Sequence, residues 1–127
     1  MKDQRQIVGK EGEKQACLYL ERLGHRIVAK NWRSEHKELD IISLTEGVLH
    51  VVEVKSLTAP VLTEPLSKIN AKKMRNLVAA TNAFLNSEER KRLPQDLEVV
   101  FDIVSIVFFE DETKIEYYPQ AYIPTYV

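Results

Sequence analysis

The sequence predicts an α/β sandwich, a mixed β-sheet covered by helices on both faces. Two observations carry that expectation. Apolar residues of helical period alternate along the chain with extended runs, in the order helix, three strands, helix, then one or two strands. The central hairpin is apolar on both faces: Leu39, Ile41, Val52 and Val54 are expected to point one way, and Ile42, Leu44, Leu49 and Val51 the other. A sheet that is apolar on both sides needs cover on both sides.

The first helix is expected from about Gly12 to Leu23, where Ala16, Cys17, Leu20 and Leu23 form an apolar stripe. Gly24 follows at the position of a left-handed C-terminal cap. Glu11, Lys14, Glu21 and Arg22 take the wet face, whereas Glu13 lies beside the stripe. A strand follows over residues 25–33, with Ile27 and Ala29 alternating against Arg26, Val28 and Lys30. Two further strands, 38–44 and 48–55, flank the turn signal Glu46-Gly47. Residues 57–65 contain Pro60 and Pro65 and read as a loop. The second helix runs from about Asn70, a suitable N-cap, to Leu85, with Met74, Leu77, Val78, Thr81, Phe84 and Leu85 on one face. Residues 86–96 are charged, contain Pro94 and read as a connector; 97–109 is a long β run, and 114–118 is a last strand.

The 127 residues fit a single domain, 1–127, and 44% hydrophobic with 29% charged content excludes the disordered and fibrous classes. With 18 Lys+Arg against 19 Asp+Glu the formal net charge is −1. A nucleic-acid partner would therefore be met by a local basic surface and not by a global field. One cysteine, Cys17, excludes an internal disulfide framework and a multi-cysteine metal site. The polar stretch from Met1 to Gln15 has no signal-peptide core, and no run approaches the roughly 20 apolar residues of a membrane span. The expectation is a cytoplasmic protein with no membrane partner.

The residues that point to chemistry lie on the central hairpin. Glu38, Asp40, Ile42 and Leu44 share one strand face, and Leu49, Val51, Glu53 and Lys55 share one face of the next. If Glu46-Gly47 is a two-residue turn, Thr45 pairs with Val48 and Asp40 falls opposite Glu53. A slip of one residue would put the two carboxylates on opposite faces. In the favoured register Glu38, Asp40, Glu53 and Lys55 form a polar end. Paired carboxylates repel unless a cation or proton sits between them, and Mg²⁺ suits such a place because it takes hard oxygen ligands and keeps several waters. Lys55, one alternate position along, is then placed to hold the water that attacks a phosphodiester. The bland alternative is a solvated salt-bridge cluster at a strand end.

Lys68, Lys72, Lys73 and Arg75 gather near the start of the second helix, where positive charge opposes the helix dipole. Phosphate binding by this group is the functional reading, with Arg33 and Lys30 extending the surface. His25, His36 and His50 lack metal-ligand spacing, and Cys17 reads as a small core residue. Trp32, Tyr117, Tyr118, Tyr122 and Tyr126 are expected to pack in the core or at a dimer contact. Asp102, framed by Phe101, Ile103 and Val104, needs a buried partner, for which Arg33 or a lysine of the second helix is the candidate.

Gly9-x-x-Gly12-Glu13, Ala16, Tyr19-Leu20, Gly24, Asn31-x-Arg33, Glu38-Leu39-Asp40-Ile41-Ile42 and Val52-Glu53-Val54-Lys55 occur in that order. Ile69-Asn70-x-Lys72-Lys73 and Phe101-Asp102-Ile103-Val104 follow. Together they resemble the YraN-type bacterial family, which is similar to archaeal Holliday-junction resolvases and to the PD-(D/E)xK nuclease superfamily. The resemblance covers nearly the whole chain and implies a restriction-endonuclease-like mixed sheet flanked by helices. It implies Asp40 and Glu53 as metal ligands with the Val54 carbonyl as a third, Lys55 as the catalytic lysine, and Glu13 as an acidic residue reaching the same site. Glu38 matches an acidic position of the family pattern. Lys37 stands where the pattern has Gly, and Leu57 where it has a basic residue. The resulting expectation is a Mg²⁺- or Mn²⁺-dependent nuclease acting on branched DNA, as a homodimer by analogy with the resolvases. The alternative is a non-catalytic nucleic-acid-binding module on the same fold.

Overall fold

The structure, a computed structural model, describes residues 4–59 and 71–121. Their order is α1 (Gln4–Arg22), β1 (Arg26–Ser34), β2 (Lys37–Thr45), β3 (Val48–Thr58), α2 (Ala71–Leu85), α3 (Glu88–Lys91), β4 (Glu98–Phe108) and β5 (Thr113–Tyr118). The five strands form one mixed sheet in sequential order, antiparallel throughout except for the parallel pair β3–β4. The parallel pair requires a crossover, and α2 lies within it. The sheet is thus mixed and flanked by helices, as the two-sided apolar pattern of the hairpin demands.

Each face has its own core. Ala16, Cys17 and Leu20 of α1 pack with Ile41, Val52, Val104 and Ile106. Ala80 and Phe84 of α2 pack with Leu39, Ile42, Leu49, Val51 and Phe101. Trp32 joins the second core edge-to-face on Phe84, with ring centroids 5.4 Å apart, and its indole N–H donates to Glu89 at 2.6 Å. Cys17 and Trp32 are therefore packing residues, as expected.

Several boundaries and facings differ from the sequence reading, each for a local reason. Helix α1 begins at Gln4 and not near Gly12, so Gly9 and Gly12 lie inside it. Gly12 faces Ser56 of β3 so closely that a Cβ there would lie 1.8 Å from Ser56 Oγ and 2.9 Å from Ser56 Cβ. The bare backbone, with its helix penalty of about 1 kcal/mol, permits α1 to approach the sheet at this point. A β-bulge between Ile27 and Ala29 breaks the expected alternation of β1: Ile27 packs on the α1 side, while Val28 and Ala29 both join the α2-side core. Leu39 likewise joins the α2-side core, not the side of Ile41, Val52 and Val54. On α2, Ala80 takes a buried place with Thr81 and Phe84, and Leu77 and Leu85 flank them. Strand β3 runs on through Leu57 and Thr58, two residues assigned to a loop from the sequence. The connector holds a short helix, α3, whose N-cap Ser87 accepts a hydrogen bond from the Arg90 N–H and whose first turn carries Glu88 and Glu89. The proposed N-cap Asn70, the Pro60 to Pro65 loop, Lys68, Tyr122 and Tyr126 lie outside the described residues.

The hairpin register is the one that matters for the site. Thr45 pairs with Val48 around the two-residue turn, in which Gly47 adopts φ +75°. Pairing continues through Leu44–Leu49 to Ile41–Val52. The turn is held to the start of β4 by Glu98 N–H donating to the Gly47 carbonyl at 3.0 Å. No helix among the described residues is long and apolar enough to cross a membrane.

Candidate active site

The β2–β3 ladder stops at Ile41–Val52, one pair short of Asp40 and Glu53. Where it stops, the Asp40 carboxylate replaces a backbone acceptor: Val54 N–H donates to Asp40 Oδ2 at 2.9 Å. The opening beyond the ladder is a cavity of about 250 Å³ whose walls include Glu38, Asp40, Glu53, Lys73 and Asn76. The register therefore brings Asp40 and Glu53 to one cavity, on the α2 side of the sheet.

Glu38 and Glu13 complete the acidic surroundings. Burial pushes the Asp40 pKa up to about 6; the Val54 N–H opposes that rise, and the charges of Glu13, Glu53 and Glu38 add to it. Glu13 comes from α1, on the opposite side of the sheet from α2, and its approach depends on the close Gly12–Ser56 contact one residue away. Three carboxylates from three elements thus act electrostatically on Asp40.

The positive charge of the site comes from α2. Lys73 Nζ lies 2.5 Å from Glu53 Oε1, and the Glu53 side chain is only 11% exposed. Burial works against the Lys73 charge, but its hydrogen bond to Glu53, the charge of Glu53, an interaction with Lys55 and the charge of Asp40 outweigh burial and raise its pKa. Lys55 is half-buried and lies within reach of Lys73; it is not among the residues lining the cavity. Lys72 and Arg75 are exposed on the same helix. Arg33 is set apart from them: it pairs with Glu38 at 3.5 Å and lines a second groove, between α1 and β1, together with Lys10, Glu13 and Asn31. The sequence reading did not anticipate the Lys73–Glu53 pair, nor Asn76 in the cavity wall. A signal existed, since Asn76 follows Lys73 by three residues and so shares its helix face.

The expectation for Asp102 is corrected. Its partners are neither Arg33 nor a lysine. His50 Nδ1 lies 2.6 Å from Asp102 Oδ2, Tyr117 OH donates to the same oxygen at 2.5 Å, and Gln120 N–H donates to Oδ1 at 2.8 Å. Burial alone would raise the carboxyl, but these three hydrogen bonds outweigh it and hold the pKa below its usual range. His50 Nε2 continues to Thr45 Oγ1 at 2.9 Å, and its ring lies 4.3 Å from that of His25, which reaches Ser43 Oγ at 2.8 Å. Burial, and then the charge of His50, lower the His25 pKa. This network lies toward the turn end of the hairpin, away from Asp40.

Could the acidic cavity hold a divalent ion? Among the described residues no three His, Cys, Asp or Glu side chains converge closely enough to hold one alone. The donor set is nevertheless of the hard-oxygen kind that Mg²⁺ and Mn²⁺ accept, and Mg²⁺ is commonly held by one or two carboxylates with water completing its shell. Burial, and then the charges of Glu13, Glu53 and Glu38, raise the Asp40 pKa, so a cation beside Asp40 would favour its ionised form, while Glu53 already has Lys73.

The chain matches the model of the uncharacterised protein family UPF0102 over residues 12–106, an interval that holds Glu13, Asp40, Glu53 and Lys55. A UPF0102 protein of Parabacteroides distasonis is 36% identical over 115 residues, 91% of this chain and 91% of the relative. One from Phocaeicola vulgatus is 35% identical over 91% of this chain and 92% of its own length. One from Nitratidesulfovibrio vulgaris is 38% identical over 84% of this chain and 76% of the relative. These matches agree with the family resemblance carried by the ordered motifs.

Proposed function

Starting from the fact that this chain belongs to the uncharacterised protein family UPF0102, we propose that it is a Mg²⁺- or Mn²⁺-dependent nuclease that hydrolyses DNA phosphodiester bonds. The observation that carries this reading is the convergence of Asp40 and Glu53 on one cavity at the point where the β2–β3 ladder opens. Asp40 and Glu53 would hold the ion. The Val54 carbonyl is the third donor: a strand residue projects its N–H and C=O to the same side, and the Val54 N–H already faces Asp40. When bound, the ion lowers the pKa of a water and neutralises charge building on the phosphate.

The remaining steps belong to the chain's own side chains. Lys55 shares a strand face with Glu53 and orients the attacking water beside the phosphate. Glu13 adds a further acceptor for that water's protons, from a helix held close by Gly12. Lys73 neutralises Glu53 and, from its place in the cavity wall, would also offer its ammonium to an incoming phosphate. Lys72 and Arg75, exposed on the same helix, supply positive charge for the DNA backbone.

A second reading, a nucleic-acid-binding module without catalysis, draws on the same Lys73–Glu53 pair, because a carboxylate already neutralised by lysine has less need of a metal. Cleavage of branched, flapped and linear DNA with Mg²⁺ or Mn²⁺ separates the two. The nuclease reading expects chelator-sensitive cleavage that is lost in both Asp40→Ala and Lys55→Ala. Absence of cleavage, with salt-sensitive DNA binding that survives Asp40→Ala, would establish the binding module instead.

A further inference from the structure

Apart from Glu13, the residues of the groove between α1 and β1 have no role in the cleavage scheme above, and their composition is unlike that of a wall closed by packing. It has a volume of about 590 Å³ and is lined by Gln6, Gly9, Lys10, Glu13, Asn31 and Arg33. Lys10, Asn31 and Arg33 are exposed. Gly9 leaves the helix wall open where any side chain would narrow it, with nothing within 4 Å of a Cβ placed there.

Asn31 gives the groove a built character. Lys30 pairs with Ile41 and Trp32 with Leu39, so Asn31 occupies the place across from Asp40, where no Cα pair forms. There its backbone turns to φ +50°, a left-handed conformation inside a strand. Asparagine tolerates this conformation better than most non-glycine residues, and residues held in it cluster at active sites and ligand clamps. Its effect here is to break the alternation of β1 and to put the amide in the α1-side groove.

The groove is joined to the acidic cavity at two points. Glu13 lines the groove while its charge acts on Asp40, and Arg33 lines the groove while pairing with Glu38 of the cavity wall. Two positive flanks therefore border Asp40: Lys72, Lys73 and Arg75 on α2, and Lys10 with Arg33 across the sheet edge. A chain of phosphates crossing Asp40 would find cations on both sides, with Glu13 at the inner end of the groove and the other carboxylates at the cavity between them.

Resting on the nucleic-acid reading, we propose that the α1–β1 groove binds the DNA strand on one side of the scissile phosphate. Lys10 and Arg33 hold its backbone phosphates, and Asn31 and Gln6 meet a sugar or base edge with their amides. The site thus takes an extended single strand leaving the cleavage point, as the arm of a branched or flapped substrate does.

The test is fluorescence anisotropy of labelled single-stranded and flapped DNA with the full chain, in chelator, over a range of salt. Lys10→Ala and Arg33→Ala are each expected to weaken binding about 5- to 10-fold at about 0.1 M salt and to reduce the salt slope by about one. Asn31→Gly retains the left-handed backbone and is expected to weaken binding about 3-fold with an unchanged slope. Lys91→Ala, which removes a charge from α3, controls for net charge. Groove variants that bind as Lys91→Ala does would overturn the proposal; if Asp40→Ala still abolished cleavage, the nuclease reading would stand. Groove-dependent binding without any cleavage would support the groove and remove catalysis. Wild type that binds neither DNA would sink the groove proposal outright.

Discussion

Asp40 on β2 and Asp102 on β4 are both carboxylates drawn out of solvent by the same sheet, and the chain treats them in opposite ways. Asp102 is fully buried and receives three hydrogen bonds, from His50, Tyr117 and the Gln120 N–H, so its charge is wanted and its pKa lies below the usual range. Asp40 receives the Val54 N–H, but burial first, and then the charges of Glu13, Glu53 and Glu38, oppose its charge and push its pKa up to about 6. One carboxylate is completed by the fold. The other is left wanting a cation that the fold only partly supplies through Lys73 at Glu53. A protein that can satisfy a buried carboxylate in one place, and does not in another, marks the second as a place for a ligand.

That contrast can be broken at either end. The largest effect is expected at the satisfied end. Asp102→Ala leaves the His50 ring, the Tyr117 hydroxyl and the Gln120 N–H without their acceptor and is expected to cost about 3 kcal/mol or more, measured by urea unfolding. The opposite sign is expected at Asp40. Asp40→Asn removes an unfavourable charge and is expected to stabilise the ion-free protein by up to about 3 kcal/mol at about pH 8.

The pH dependence of unfolding sharpens the same point. A carboxyl whose folded pKa is raised contributes stability that is full below its unfolded value and is lost as pH rises through about 6, which is the Asp40 case. A carboxyl whose folded pKa is lowered contributes stability that is present above its unfolded value and is lost as pH falls, which is the Asp102 case. Asp40→Asn is therefore expected to flatten the loss of stability between about pH 4 and 6 and to leave the acid limb unchanged. A profile unaltered by Asp40→Asn would remove the asymmetry on which the comparison rests.

A smaller effect is expected at the hinge between helix and site. Gly12→Ala gains about 1 kcal/mol of helix propensity but drives a Cβ into Ser56, which typically costs about 1–3 kcal/mol, so a net loss of about 1 kcal/mol is expected. Ser56→Gly in the same chain should restore it, since the contact is with Ser56 Oγ and Cβ. Loss without rescue would place the cost elsewhere.

How much of this was legible in the sequence follows from how local each cause is. The Asp40–Glu53 juxtaposition was legible because a two-residue turn at Glu46-Gly47 fixes the register of everything nearby. The cap at Gly24, with φ +96°, was legible for the same reason. The Asp102 network was not, because it joins β2, β3, β4 and β5 through a parallel pairing that no short spacing encodes. Asn31 entered only as part of the Asn31-x-Arg33 motif; asparagine tolerates the left-handed backbone it adopts, but its place inside β1 gave no turn signal for it. Leu39 was assigned to the wrong face because strict alternation was carried across Asp40, where the β2–β3 ladder ends. The short helix α3 could have been read from Ser87 followed by two glutamates.

We propose that the carboxylates around Asp40, compensated only in part by Lys73 and Arg33, form a divalent-cation site. Calorimetric titration of Mn²⁺ into the full chain at about pH 8 tests it most directly. The account expects saturable binding by the wild type that is abolished in Asp40→Asn and tightened in Lys73→Met, where Glu53 no longer has its lysine. Wild type and Asp40→Asn giving the same heats would contradict it.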